Sequence, residues 1–116
     1  MTKLFDLEER TFQFAKNVYL LYKKNKNKYI TNEYINQLVR ASSSVGANYR
    51  EANDALGKKD FSFRIKISRK EAKESTFFLR LMKETEETGL DSEFDILIQE
   101  SIELTKIFSA IIEKSK

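Results

Sequence analysis

Hydrophobic residues recur at alternating spacings of three and four along most of this 116-residue chain. That period is typical of one buried face of an α-helix. The first such segment runs from about Asp6 to Asn25, where Asp6 is placed to cap the helix and Glu9 takes the capping-box position three residues later. Its predicted core stripe is Leu7, Phe14, Val18 and Leu21, widened by Ala15, Tyr19 and Tyr22.

The second segment follows a break at residues 23–28, which contains two helix-weak Asn residues and concentrated positive charge. Thr31 or Asn32 can cap this helix, and the pattern extends it to about Leu56. Gly57 suits the left-handed residue that commonly ends a helix. The predicted stripe is Ile35, Leu38, Ser42, Val45, Tyr49, Ala52 and Leu56.

Two more helices complete the pattern. The third is predicted to start near a cap at Asp60 and to end near Thr88, just before Gly89. Asp91 or Ser92 opens the fourth, which continues to the C-terminal lysines. Short connections place consecutive helices antiparallel, so we predict an all-α, up-down-up-down four-helix bundle that forms one domain over residues 1–116. A longer two-helix coiled coil is the alternative, and the glycine breaks argue against it.

The middle of the second helix is unusual because six of the seven residues at 41–47 are Ala, Ser or Gly. The heptad spacing continues through this stretch without losing phase, which predicts a helix. A phosphate-binding loop would need a Gly-rich turn followed by Lys and Ser or Thr, and the stretch has neither. Arg40 is the only charge between Tyr34 and Tyr49, so we expect this helix to be covered on more than its core face, either by another subunit or by its own bundle alone.

The core stripe of the third helix is also small in its middle: Ile65, Ser68, Ala72, Ser75, Leu79 and Met82. Ser42 and Ala52 on the second helix are predicted to face Ser68, Ala72 or Ser75. Small side chains on both helices would let the two backbones approach closely and gain dispersion contacts.

Composition removes several classes of function. The chain contains no Cys and no His, which excludes disulfides, thiolate nucleophiles, the usual zinc sites and Ser-His triads. We expect no catalytic residue, no metal and no cofactor. The N-terminal residues form no apolar signal core and no apolar run approaches membrane-spanning length, so we expect a cytoplasmic protein without a membrane partner. The net charge of +3 is mildly basic.

Two segments carry a family resemblance. In QLVRASSSVGANYREAN (residues 37–53) the matching residues are Gln37, Leu38, Arg40, Ser44, Val45, Asn48 and Glu51. In KKDFSFRIKISRKEAKES (residues 58–75) they are Lys59, Asp60, Phe61, Glu71, Glu74 and Ser75. The chain resembles the bacterial four-helix-bundle proteins first noticed in intervening sequences of large-subunit ribosomal RNA genes.

This resemblance covers essentially the whole chain. It implies an antiparallel four-helix bundle that assembles into a ring-like homo-oligomer, typically a pentamer. One relative, the accessory protein of diversity-generating retroelements, partners a reverse transcriptase and binds nucleic acid. Most members have no known biochemical activity.

Polar residues of the matched segments invite a catalytic interpretation, but a carboxylate-bridged metal pair in a bundle would need Glu-x-x-His motifs. We interpret Asn48, Glu51 and Glu74 instead as residues that fix helix register or a subunit contact. Their candidate partners are Arg40, Arg50 and Arg69. The full set predicted for packing or oligomer contact is Arg40, Ser44, Gly46, Asn48, Glu51, Glu74 and Phe78.

Basic residues follow one flank of the third helix at helical spacing: Lys66, Arg69, Lys73, Arg80 and Lys83. The opposite flank carries Ile67, Glu71, Glu74, Phe78 and Leu81. A solvated charged face is the ordinary explanation of such a stripe, and contact with RNA or DNA phosphates is the functional one. No aromatic residue is expected within the stripe, so base stacking is not predicted.

Two functional hypotheses follow. The first is a non-enzymatic oligomeric scaffold or adaptor that contacts nucleic acid, or a nucleic-acid enzyme such as a reverse transcriptase, through the basic flank. The second is a purely protein-protein assembly module whose charge only confers solubility. The first is favoured because it accounts for the basic stripe.

Overall fold

In a computed structural model the protein consists of four helices: α1 (Lys3–Lys24), α2 (Asn32–Asn53), α3 (Lys58–Thr85) and α4 (Asp91–Lys114). The structure describes residues 3–24 and 32–116, with side chains placed from residue 7 to 24 and from 33 to 116. The predicted cap at Thr31 lies outside these residues. No β-strand occurs in the two described ranges. The molecule measures 45 × 28 × 20 Å. Its length matches that of α3, since a helix rises about 1.5 Å per residue.

The helices form a closed, antiparallel arrangement. α2 packs against α1 and α3, and α4 packs against α3 and α1. Arg40, near the start of α2, contacts Glu74 in the second half of α3, whereas Asn48 contacts Arg64 near the start of α3. As the contacting residue moves forward along α2, its partner moves backward along α3, which defines an antiparallel pair. The predicted all-α, up-down-up-down four-helix bundle is therefore confirmed.

The core contains the stripes predicted for α1, α2 and α3, together with residues of α4; Tyr19, predicted to widen the α1 stripe, is 50% exposed. All four stripe positions of α1 and all six of α3 are buried, as are the α2 positions from Ile35 to Ala52. Tyr49 and Phe108 meet across the bundle with ring centroids 6.0 Å apart, which joins α2 to α4. Burial raises the pKa of the Tyr49 phenol because the charged form loses its hydration. Hydrophobic periodicity thus identified the face that α1, α2 and α3 each bury.

Helix ends differ from the prediction at three places. α1 begins at Lys3, so Asp6 lies inside the helix and not at its cap. α2 ends at Asn53, and Leu56 is 102% exposed outside the core. The Asp54 amide donates the last turn's hydrogen bonds, to Arg50 and Glu51 carbonyls, before the chain leaves the helix. Asn53 and Asp54 are two successive residues of low helix propensity, which is consistent with the helix ending there.

The connections also correct two capping predictions. Gly57 has an extended backbone (φ −156°) and precedes the first residue of α3, so it does not end α2 in a left-handed conformation. Asp60 lies within the first turn of α3, where a carboxylate is favoured by the helix dipole, and not at the cap. α3 ends at Thr85, before the predicted Thr88, and Gly89 adopts the left-handed conformation with φ 74°.

Small residues bring α2 close to both of its neighbours. The Ser68 hydroxyl of α3 donates a buried hydrogen bond of 2.9 Å to the Val45 carbonyl of α2. A Cβ atom on Gly46 would lie 3.0 Å from Thr11 Oγ1 of α1. The close approach of α2 and α3 is confirmed at Ser68, although its partner is the backbone of Val45 and not Ser42. Ser43 and Ala47 face outward and are exposed.

Candidate nucleic-acid interface

A surface groove on α3 is lined mainly by basic side chains. It has a volume of about 350 Å³. We call it the cationic groove, and its lining residues are Lys66, Arg69, Lys70, Lys73, Glu74 and Phe77. The helical repeat brings these residues together, because positions three, four and seven apart lie on one face. The structure thus brings three of the five predicted stripe residues, Lys66, Arg69 and Lys73, into one site.

The groove is positive and largely unneutralised. Within the described ranges, Lys66 and Lys73 make no salt bridge and are exposed. Arg69 donates a long hydrogen bond of 3.5 Å to the Ser109 hydroxyl of α4, which holds its side chain against the bundle. The pKa of Glu113 on α4 is lowered chiefly by its hydrogen bond with Lys116, and to a smaller extent by the charge of Arg69. Lys66 and Lys73 are therefore available to an anion from solution, and Arg69 is held beside them by one long hydrogen bond.

Glu74 is the groove's single carboxylate, and it is neutralised locally. Its Oε1 accepts a hydrogen bond of 3.1 Å from Arg40, and its Oε2 lies 3.8 Å from Lys70 Nζ. Arg40 also lies 3.6 Å from the buried carboxylate of Glu71. Arg40 therefore joins α2 to two carboxylates of α3, which is consistent with the predicted role of Arg40 and Glu74 in setting helix register.

The remaining two stripe residues are engaged elsewhere. Arg80 lies 3.4 Å from Glu84 on the next turn of α3. Lys83 lies 2.6 Å from Asp95 of α4, and this hydrogen bond raises the pKa of the Lys83 ammonium. The stripe is therefore divided into an open half at residues 66–73 and a paired half at residues 80–83.

Other residues predicted for packing or assembly are placed as follows. The Asn48 side chain accepts a hydrogen bond of 3.1 Å from Arg64 and donates one to the Ser44 carbonyl, so it fixes α2 against α3. Phe78 packs between Phe77 and Tyr34, with ring centroids 5.3 and 6.3 Å away. Glu51 is exposed on the outer face of α2.

A second groove lies between α1 and α2, with a volume of about 490 Å³. On the α2 side the groove is lined by the outward face of the small-residue stretch. On the α1 side its lining includes Thr11 and the exposed Phe12. We call it the small-residue groove, and its α2 residues are Ser43, Gly46, Ala47 and Arg50. Within the described chain nothing covers Ser43 or Ala47, so coverage by another subunit remains a prediction.

Sequence reasoning missed two residues of the cationic groove and assigned a third, Glu74, to the opposite flank of α3. Lys70 follows Lys66 by four residues, and Phe77 follows Lys73 by four, so helical spacing places both beside the stripe. Phe77 is 61% exposed. The expectation that no aromatic residue accompanies the stripe is therefore wrong. The signal was present in the spacing, but Phe77 was not assigned to either flank of α3.

Two further features are absent from the described residues: a cluster of metal-binding side chains and a membrane-spanning helix. Among them, no cluster of three or more acidic side chains is arranged to hold a metal ion. Over the same ranges, every helix is too short or too polar to cross a membrane.

The chain is similar to known proteins along nearly its whole length. The family model described as 23S rRNA-intervening sequence protein matches residues 5–110. The chain belongs to this family. A protein of unknown function from the S23 ribosomal protein family of Bacteroides thetaiotaomicron VPI-5482 has a similar crystal structure, with a TM-score of 0.85 and 29% identity over 97% of this chain and 99% of that one. No curated protein matches.

Family membership confirms the resemblance inferred from residues 37–53 and 58–75. It supports the fold along nearly the whole chain. The relative of known structure is itself described as having unknown function, so the family assigns no activity. A function for this protein has to be argued from its own surface.

Proposed function

We propose that this protein is a non-enzymatic oligomeric scaffold that contacts nucleic acid through the cationic groove of α3. The observation that carries the proposal is the open half of the stripe, where Lys66 and Lys73 are exposed without a salt bridge in the described chain. Unpaired cations on one rigid helix attract the closely spaced phosphates of a nucleic acid.

Such a contact is electrostatic and poorly sequence-specific. Lysine and arginine bind phosphates chiefly by charge and by release of condensed counterions, and phosphate contacts carry no direct sequence information. The groove offers three cations for such contacts, the unpaired Lys66 and Lys73 and the loosely held Arg69. One protomer alone would therefore bind weakly and with a strong dependence on salt.

Assembly would multiply this weak contact. The outward small residues Ser43 and Ala47 and the exposed Phe12 leave a groove whose surface is mostly apolar, as expected of a contact between chains. The family resemblance favours a ring-like homo-oligomer, with a pentamer as the expected form. Repeating the cationic groove around a ring raises the effective concentration of each successive contact.

A second candidate function is a purely protein-protein assembly module. Exposed apolar side chains on three helices favour it: Phe12 on α1, Phe63 and Phe77 on α3, and Ile96 on α4. In this case the charge of α3 only keeps the assembly soluble. A protein partner such as a reverse transcriptase is compatible with either function.

Titration of labelled RNA and duplex DNA over a series of salt concentrations tests the proposal. For about three phosphate contacts, the logarithm of the binding constant should fall with the logarithm of salt with a slope of about −2 to −3 per protomer engaged. The double variant Arg69→Glu, Lys73→Glu should bind more weakly and with a slope shallower by about 1.4 or more. Thermal unfolding should show that the bundle is intact.

Lys16→Glu is the matched control, because Lys16 is an exposed lysine on α1, away from the groove. It should leave binding nearly unchanged. Absence of binding at low salt, or equal losses in the control and the double variant, contradicts the proposal and favours the protein-protein module.

A further inference from the structure

Phe77 is an exposed aromatic ring inside the cationic groove. It lines the groove together with Lys66, Arg69 and Lys73. It also borders a neighbouring groove of about 220 Å³ that contains Arg80, so the ring stands between two basic positions along α3. Large exposed apolar side chains need no function when they are scattered singly. This one lines a groove that also contains Lys73 and borders one that contains Arg80, and single-strand-binding surfaces combine aromatic rings with cations in this way.

The Phe77 ring is supported by a neighbouring aromatic side chain. Phe78 packs against Phe77 edge to face, with centroids 5.3 Å apart and planes at 83°. Phe78 is partly buried and in turn packs against Tyr34 of α2 at 6.3 Å. Phe77 is therefore supported on one side and open on the other, so its exposed surface can accept a flat partner without large rearrangement.

We infer that the cationic groove binds single-stranded nucleic acid, with an unpaired base stacked on Phe77 and the neighbouring phosphates on Lys66, Arg69 and Lys73. This inference rests on the proposed function and adds the class of nucleic acid. In a duplex the faces of the bases are occupied by their neighbours, so an aromatic side chain on a helix surface cannot reach them. Unpaired bases expose these faces and stack on aromatic residues regardless of sequence.

The dimensions of the site agree with a short strand. From Lys66 to Phe77, α3 advances about 16 Å along its axis. That length corresponds to roughly five nucleotides at the ~3.4 Å rise of one stacked strand. The groove's carboxylate, Glu74, does not oppose the strand, because Arg40 and Lys70 lie 3.1 and 3.8 Å from its two oxygens.

Fluorescence anisotropy with labelled oligo(dT) and oligo(U) of about ten nucleotides, and with a duplex of equal length, tests this inference on the full chain. The single strands should bind more tightly than the duplex at low salt. Phe77→Leu keeps an apolar side chain but removes the ring, and it should weaken single-strand binding at least about fivefold while leaving duplex binding unchanged.

Phe63→Leu is the matched control, because Phe63 is 58% exposed on the same helix but lies outside the groove. It should leave single-strand binding unchanged. Phe77→Trp offers a direct readout, since the chain contains no tryptophan. The fluorescence of this single indole should be quenched by the single strand and not by the duplex, whereas Phe63→Trp should respond to neither.

The outcomes separate this inference from the proposed function. If charge reversal weakens binding but Phe77→Leu does not, the phosphate contact stands and the stacking is overturned. Equal affinity for duplex and single strand overturns it as well. If a free mononucleotide saturates the groove at the same concentration as the oligonucleotide, the groove binds a small ligand. That result overturns the inference of a bound single strand. A change in the oligomeric mass of Phe77→Leu would assign the ring to a contact between chains, which likewise overturns the stacking.

Discussion

Glu71 is a carboxylate among the buried positions of α3, with only 7% of its surface exposed. One of its oxygens, Oε1, has no hydrogen-bond partner in the described chain, and Arg40 lies 3.6 Å from it. A buried charge is costly unless a partner of opposite charge lies nearby. At the scale of single residues, Arg40 therefore matters more than its exposed position on α2 suggests.

We expect Arg40→Ala to lower the free energy of unfolding by about 1–3 kcal/mol. Removing one partner of a fully buried pair costs roughly 3–5 kcal/mol, and the value is smaller here because the Arg40 side chain is 53% exposed and screened by water. Urea denaturation measures the change. Adding Glu71→Gln to the variant should recover part of the loss, because the buried charge is removed; no recovery would mean that the pair is not the cause.

At the scale of helices, the packing of α2 depends on the size of its side chains and of those facing it. Ser42 and Ser75 are fully buried, and their hydroxyls donate to carbonyls of their own helices at 3.2 and 2.9 Å. Neither of these hydrogen bonds links two helices. These serines therefore contribute small volume and satisfied polarity.

We expect Ser42→Leu and Ser75→Leu each to destabilise the bundle by about 1–3 kcal/mol, because added methylene groups overpack a close helix contact. Thermal or urea unfolding tests this expectation. Ser42→Ala and Ser75→Ala add no bulk and serve as controls, with losses of at most about 1 kcal/mol. Leucine variants as stable as the parent would show that the helices have room at these positions.

The helices show where sequence reasoning succeeds and where it stops. Periodicity identified the buried stripes because each core position recurs on the face that the helix must remove from water. It overextended α2 to Leu56, which fits the heptad but lies beyond Asn53, where the helix ends at residues of low helix propensity. Periodicity reports burial and not the residue at which the backbone turns.

The candidate site was predictable in part for a related reason. Lys66, Arg69 and Lys73 share a face by spacing alone, and the structure keeps them together. The pairing of Lys83 with Asp95 was not foreseeable, because it depends on the relative height of α3 and α4. The acidic residues of the neighbouring helix decide which basic side chains of α3 remain unpaired. The pattern of one helix does not contain that information.

At the scale of the whole molecule, the two grooves involve different helices. The cationic groove is formed by α3, and the small-residue groove is formed by α1 and α2. The proposed nucleic-acid contact and the proposed assembly therefore use different surfaces, and substitutions can test them separately.

We expect light scattering on the purified chain to report a mass above that of one 13.6 kDa protomer. Ala47→Glu should reduce that mass, because it places a bulky carboxylate among the small side chains of the groove, which already holds Glu8 and Glu9. Ala110→Glu is the control, since Ala110 is an exposed alanine on α4. A monomeric parent, or equal effects of the two variants, would contradict assembly through this groove.

Every side chain that lines the cationic groove comes from one uninterrupted run, residues 66–77. The lining is therefore continuous in sequence, although Arg40 of α2 neutralises Glu74 and Ser109 of α4 holds Arg69. Transplanting that run onto the outer face of an unrelated stable helix should carry the lining charges and the ring, but not these two supports from neighbouring helices. The same run also supplies buried positions of the bundle, so natural variants can change this surface only at the exposed positions between Ser68, Glu71, Ala72 and Ser75.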